Sequence, residues 1–304
     1  MGASDWTQGN TVLIKTDLEL YKPFEDLFVE KSASGDKVIH LLNYQKDKTI
    51  PIFDLRTGQT VDITPKGTAA VRPVWSPVES QLAVKVGEPG QAYEVLSTEG
   101  GAYLESGTIW VVNDKRERIS RINIPGKHLG DPLWLPDGKS IVFQALKRVK
   151  LSAKERKMLP DKWRLEGQEI YRSDLQGNLV ELPLPEGQDF KLERILNKDW
   201  LLAVNCPEDK PNYILVSTTG KEAVQLPSDT WQVLGMAGDQ VITCTDQKQI
   251  YIGYPGQELK LLATLDDLLS YHWFINDEWL ALIDAGSHIE DPSSLRIIKI
   301  NSAL

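Results

Sequence analysis

Six times along the chain a polar or glycine-containing turn is followed by three or four mostly apolar residues, and this recurrence limits the fold more than any other feature. The turns at 34–37, 77–81 and 136–140 lead into Val38-Ile39-His40-Leu41, Leu82-Ala83-Val84 and Ile141-Val142-Phe143. Those at 197–200, 237–240 and 276–279 lead into Leu201-Leu202-Ala203-Val204, Val241-Ile242-Thr243-Cys244 and Leu280-Ala281-Leu282-Ile283. The runs begin at 38, 82, 141, 201, 241 and 280, so successive gaps are 44, 59, 60, 40 and 39. A unit of about 40 residues repeats, with extra material in two places.

A second hairpin follows in several units. Residues 52–55 lead through Thr57-Gly58 to 61–63, and 170–173 through Gln176-Gly177-Asn178 to 179–182. Residues 213–216 pair likewise with 223–226 across Thr219-Gly220, and 250–253 with 259–262 across Pro255-Gly256. Four short strands in about 40 residues, bounded by Gly, Pro, Asn and Asp, describe one blade of a β-propeller. Six units predict an all-β, six-bladed propeller occupying residues 1–304 as one domain. The last unit ends after three strands, near residue 300, while the strand-like segment 11–20 stands ahead of the first unit. That segment is expected to supply the missing outer strand and so remove an open sheet edge.

Two units resemble the β-propeller repeat of the TolB family, in which Trp-Ser-Pro-Asp-Gly precedes an Ile-Ala-Phe strand. The matching residues are Trp75-Ser76-Pro77 with Leu82-Ala83-Val84, and Trp134-Leu135-Pro136-Asp137-Gly138 with Ile141-Val142-Phe143. The first has lost Asp-Gly, and the other four units keep only turn and strand. The resemblance implies a protein-interaction module on the extracytoplasmic side of a bacterial envelope, or a propeller that gates a serine peptidase. No Gly-x-Ser-x-Gly elbow is present, so a hydrolase domain is not expected within this chain.

Both long gaps fall between the second and third strands of a blade, so two adjacent blades are expected to raise large loops, about 87–107 and 146–167, on one face. Long loops on a rigid scaffold commonly carry binding. In the second insert Ser152 and Glu155 form a capping box that predicts a short helix, stopped by Pro160. From 147 to 167 there are eight basic residues (Lys147, Arg148, Lys150, Lys154, Arg156, Lys157, Lys162, Arg164) against three acidic (Glu155, Asp161, Glu166), a net of +5. The chain carries 34 Lys plus Arg and 43 Asp plus Glu, a net charge of −9, which leaves −14 outside the insert.

That division suits an acidic protein or peptide partner, and equally a charged face that lies on its own propeller. The body's acidity opposes nucleic-acid binding. Trp163 and Arg164 are the expected anchor, with Arg148, Lys157, Tyr93 and Tyr103 as further contact candidates. Each also suits a plug that pins an insert to the body.

No cofactor-binding motif is found, and no catalytic set. The histidines (His40, His128, His272, His288) lack metal-ligand spacing, so no metal site is assigned; His288, Glu290 and Asp291 form the densest polar cluster and are the place to look for a cation. A propeller hydrolase or lyase with an axial cation is the rival function, and a structural propeller excised from a larger protein is the third. Cys206 and Cys244 are expected to stay reduced, at different depths on different strands. No apolar run reaches membrane-spanning length, and residues 1–10 lack the regions of a signal peptide, the opening Met-Gly-Ala-Ser reading instead as a vector scar joined to a trimmed domain.

Overall fold

The computed structural model describes residues 28–34, 37–41, 51–54, 56–62, 69–87, 107–115, 117–150, 163–186, 188–205, 211–246, 248–265, 269–276, 278–284 and 294–300. Their strands fall into six antiparallel sheets in chain order. Sheet 1 holds β1 (Phe28–Lys31), β2 (Lys37–Leu41), β3 (Pro51–Asp54) and β4 (Thr60–Asp62); sheet 2 holds β5 (Ala69–Trp75), β6 (Gln81–Gly87), β7 (Thr108–Asn113) and β8 (Arg118–Ile122). Sheet 3 begins with two short inner strands, β9 (Lys127–Leu129) and β10 (Leu133–Trp134), both paired with β11 (Ser140–Lys150), and continues through β12 (Trp163–Asp174) to β13 (Leu179–Leu182). Sheet 4 is β14 (Lys191–Ile195), β15 (Trp200–Asn205), β16 (Asn212–Ser217) and β17 (Ala223–Gln225). Sheet 5 is β18 (Thr230–Ala237), β19 (Gln240–Thr245), β20 (Gln249–Gly253) and β21 (Lys260–Thr264), and sheet 6 is β22 (Leu269–Asn276), β23 (Trp279–Asp284) and β24 (Ser294–Lys299). Apart from the doubled inner strand of sheet 3, strands within a sheet pair in chain order, the blade pattern of a propeller.

The recurring apolar run is the second strand of each sheet, and in sheets 2 to 6 its lack of alternation has a physical cause: both faces are buried. In β6, Leu82, Val84 and Val86 join Ile52, Trp75 and Trp110 between sheets 1 and 2. Ala83 points the other way, to Ile109, Ile141 and Phe143 between sheets 2 and 3. Sheets 3 and 4 meet at Val142, Ile170, Phe190, Leu201 and Ala203, sheets 4 and 5 at Leu202, Leu215, Val233 and Val241, and sheets 5 and 6 at Leu234, Ile242, Leu280 and Leu282. The core is thus a series of slabs between neighbouring sheets. Burying each such side chain contributes about 1.5–3 kcal/mol, which makes the run a strong determinant of the fold.

Polar contacts stitch neighbouring sheets together. Trp134 Nε1 donates to the Val74 carbonyl at 2.9 Å, and Arg172 to that of Thr218 at 2.8 Å. A bulge in β18, where Val233 pairs with Thr243 and Gly235 with Ile242, leaves Leu234 outside the ladder. Its carbonyl receives Arg194 from β14 at 3.4 Å and stands 2.9 Å from His272 Nε2 on β22, and Arg194 also donates to Val233. Three consecutive inner strands converge there.

Cys244 is a buried free thiol, its pKa pushed up to about 11 by burial, and Cys206 lies outside the described residues. So do the segment 11–20, expected to complete sheet 6, and the capping box Ser152–Glu155 with its helix. Among the described residues there is no α-helix.

Candidate functional site

The two longest strands among the described residues are β11 and β12, of 11 and 12 residues, and they run into the span that the sequence reads as loop. Their pairing continues through Lys147 with Glu166, Arg148 with Leu165 and Val149 with Arg164 to Lys150 with Trp163. The outer strand β13 pairs with β12 only from Ile170 to Ser173, and the inner β9 with β11 only up to Lys147. Past those points the described ladder is a two-stranded ribbon rising from sheet 3. Gly167 is the extra residue where the register shifts beside Leu146 and Lys147, and its φ of +62° is the left-handed conformation that a glycine bulge requires. Within the span 146–167 the described ladder thus runs out to Lys150 and back from Trp163.

Of the residues singled out from the sequence, Arg148, Trp163 and Arg164 lie on this ribbon, Arg148 and Trp163 at register positions of the same parity. Lys157, Tyr93, Tyr103, His288, Glu290 and Asp291 lie outside the described residues.

At the foot of the ribbon, polar groups that sequence reasoning passed over are gathered between sheets 2 and 3. Lys85, near the end of β6, is 2% exposed, and its Nζ stands 3.2 Å from Nε2 of His128, itself 4% exposed. Gly107 leaves room for the lysine stem, since a Cβ there would stand 3.0 Å from Lys85 Cγ.

Beside this pair, Lys127 donates to Glu169, whose other oxygen accepts from Tyr171 Oη at 2.7 Å, and Tyr171 also reaches Glu181 at 3.2 Å. Burial raises the Glu169 pKa, but the bonds from Lys127 and Tyr171 and the lysine's charge outweigh it and hold the carboxyl below its ordinary range. Burial and the two carboxylates push the Tyr171 phenol well up. Gln144 donates to Gln168 at 2.9 Å and ties the ribbon's base together. The one signal for this layer in the sequence is a lysine inside the apolar run Val84-Lys85-Val86. The arrangement is a hydrogen-bonded polar platform at the base of the ribbon. Among the described residues no group of three or more His, Cys, Asp and Glu side chains could hold a metal ion, and no helix is long and apolar enough to cross a membrane.

No family model and no curated protein sequence matches the chain. Solved structures do. Dipeptidyl peptidase 4 of Porphyromonas gingivalis superposes with a TM-score of 0.61 at 11% identity, over 92% of this chain and 46% of that one. A prolyl endopeptidase does so with a TM-score of 0.56 at 12% identity, over 91% of this chain and 41% of that one. TolB of Acinetobacter baumannii matches at 14% identity over 90% of this chain and 60% of that one, with a TM-score of 0.39, too loose a superposition to argue from. The chain spans less than half the length of the two peptidases, and at these identities the likeness shows the fold alone: an all-β propeller.

Proposed function

We propose that the chain is a six-bladed propeller, each sheet a blade and residues 11–20 completing the sixth, that serves as a non-catalytic protein- or peptide-binding module. The partner docks on the insert-bearing face and is acidic. The TolB-like repeats favour an extracytoplasmic place in a bacterial envelope. One observation carries this reading: sheet 3 extends past its neighbours as a ribbon bearing Lys147, Arg148, Lys150, Trp163 and Arg164, on a base locked by Lys127, Glu169 and Tyr171. A rigid projection that positions basic and aromatic residues lowers the ordering cost of docking.

The test is fluorescence anisotropy with a labelled glutamate-rich decapeptide at low salt. Saturable binding that is lost in an Arg148→Glu/Lys157→Glu/Arg164→Glu variant with an unchanged melting temperature supports the reading. Absence of binding to the wild type overturns it. Trp163→Ala adds a distinction: lost stability with intact binding assigns Trp163 to pinning the insert.

A further inference from the structure

Trp231 is 53% exposed, and it stands on an inner strand. The cause is a β-bulge: Thr230 pairs with Thr245 and Gln232 with Cys244, so Trp231 is the extra residue between them. A bulge of this kind re-aims a side chain. The backbone there is fixed from the neighbouring sheet, because Tyr213 Oη donates to the Trp231 carbonyl at 3.2 Å and Gln225 donates to the Tyr213 carbonyl at 2.9 Å. The ring is thus held outward by a braced backbone.

Two carboxylates flank it. Asp229 precedes the strand and Asp246 follows β19, and the pairing of Thr230 with Thr245 brings these chain ends side by side. Both are exposed, and neither has a hydrogen-bond or ion-pair partner among the described residues. The nearest cation along the chain is Lys248, on the same turn as Asp246; the Lys248 N–H donates to the Thr245 carbonyl at 3.2 Å.

Elsewhere the fold supplies its own cations to tryptophans. Arg118 lies 4.9 Å from the ring centre of Trp110, and Lys299 lies 5.7 Å from that of Trp279. Among the described residues the chain places no cation over Trp231.

We infer that Trp231, Asp229 and Asp246 form a binding site for an arginine side chain of a peptide partner. The indole offers the best aromatic face for a cation, a guanidinium stacks on it as a plane, and the two carboxylates accept from its edge. The chain's net charge of −9 adds long-range attraction. The site is on the same end of the sheets as the ribbon, since the start of β18 lies beside the turn between β19 and β20. It is built from sheet 5 alone, so it does not depend on the ribbon binding anything.

The probe is a labelled, end-blocked tripeptide of arginine, followed by anisotropy at low salt, with its citrulline counterpart as the uncharged isostere. Wild type is expected to bind the arginine peptide saturably and the citrulline peptide at least about fivefold more weakly. Trp231→Ala, which leaves the net charge unaltered and removes an exposed ring, is expected to weaken binding by about fivefold. Asp229→Asn/Asp246→Asn is expected to weaken it at least as much, and it decides the matter should Trp231→Ala fold poorly. No binding by wild type, equal binding of both peptides, or unchanged affinity in the variants overturns the inference. The ribbon variant Arg148→Glu/Lys157→Glu/Arg164→Glu should not weaken binding of this peptide, so a failure here and a failure at the ribbon are told apart.

Discussion

A Cβ on Gly138 would stand 2.2 Å from Cγ2 of Val78, because the Asp-Gly turn of sheet 3 packs directly on the Ser-Pro turn of sheet 2. The same atom would lie 2.8 Å from Ser76 Oγ, which itself accepts from the N–H groups of Val78 and Glu79 at 3.4 and 3.3 Å. The Trp-Ser-Pro and Pro-Asp-Gly motifs are therefore two halves of one inter-sheet contact.

Gly138 also has a φ of +64°. Gly138→Ala is expected to cost about 1–2 kcal/mol for the left-handed backbone and a similar amount for overpacking. Adding Val78→Ala should recover the steric part and leave the backbone part. Urea unfolding of wild type and the two variants separates these contributions, and a Gly138→Ala midpoint equal to wild type would refute the contact.

The meeting of Arg194 and His272 on the Leu234 carbonyl makes stability depend on pH. Burial lowers the His272 pKa below 6.5, the hydrogen bond to Leu234 opposes this, and the nearby Arg194 charge lowers it further. The unfolded chain then takes up the proton first, so the contribution of His272 is complete above pH 6.5 and is lost as pH falls through the depressed folded value. The wild-type melting temperature should drop relative to His272→Gln between about pH 7.5 and about pH 5. Parallel curves for the two proteins would show that His272 contributes nothing to the pH dependence.

Glu169 gives a separate acid limb. Its folded pKa lies below 4.5, so the stabilisation it provides is present above that value and disappears as pH falls through the lowered one. Glu169→Gln keeps the shape, weakens the bond from Lys127 and should flatten the wild-type loss of stability below pH 4.5. If the variant's acid unfolding overlays that of wild type, the Lys127–Glu169–Tyr171 chain does not hold the ribbon's base.

Much of the scaffold is legible in the sequence because the second strands of sheets 2 to 6 are buried on both sides. Leu82, Ala83 and Val84 are all fully buried, and such runs stand out in any window. The second hairpins fall within two residues of their expected ends in sheets 1, 4 and 5, where a glycine turn punctuates them. The ribbon is not legible in this way. Beyond Leu146 its strands pair chiefly with each other, so they need no apolar period, and Lys147, Arg148 and Lys150 read as a charged loop. The polar platform is hidden for another reason: Lys85 and His128 are 43 positions apart and meet only through the packing of sheets 2 and 3. Trp231 owes its exposure to one extra residue in a ladder, which residue spacing does not reveal.

Sheet 6 shows three strands among the described residues where the other sheets show at least four, and on its last strand Leu295 and Ile297 are 59% and 55% exposed. Apolar side chains on an outer strand with an open ladder beside them invite pairing with another chain. Residues 11–20 contain Thr11-Val12-Leu13-Ile14, a strand-forming run of suitable length to close that edge within the molecule. Deleting residues 1–22 should lower the melting temperature by about 5 °C or more and promote aggregation. Leu13→Pro in the full chain should act in the same direction more weakly, since proline removes a ladder donor. Thermal unfolding followed together with light scattering reads both effects, and a melting temperature unchanged in both proteins would show that the edge of β24 is closed by something else.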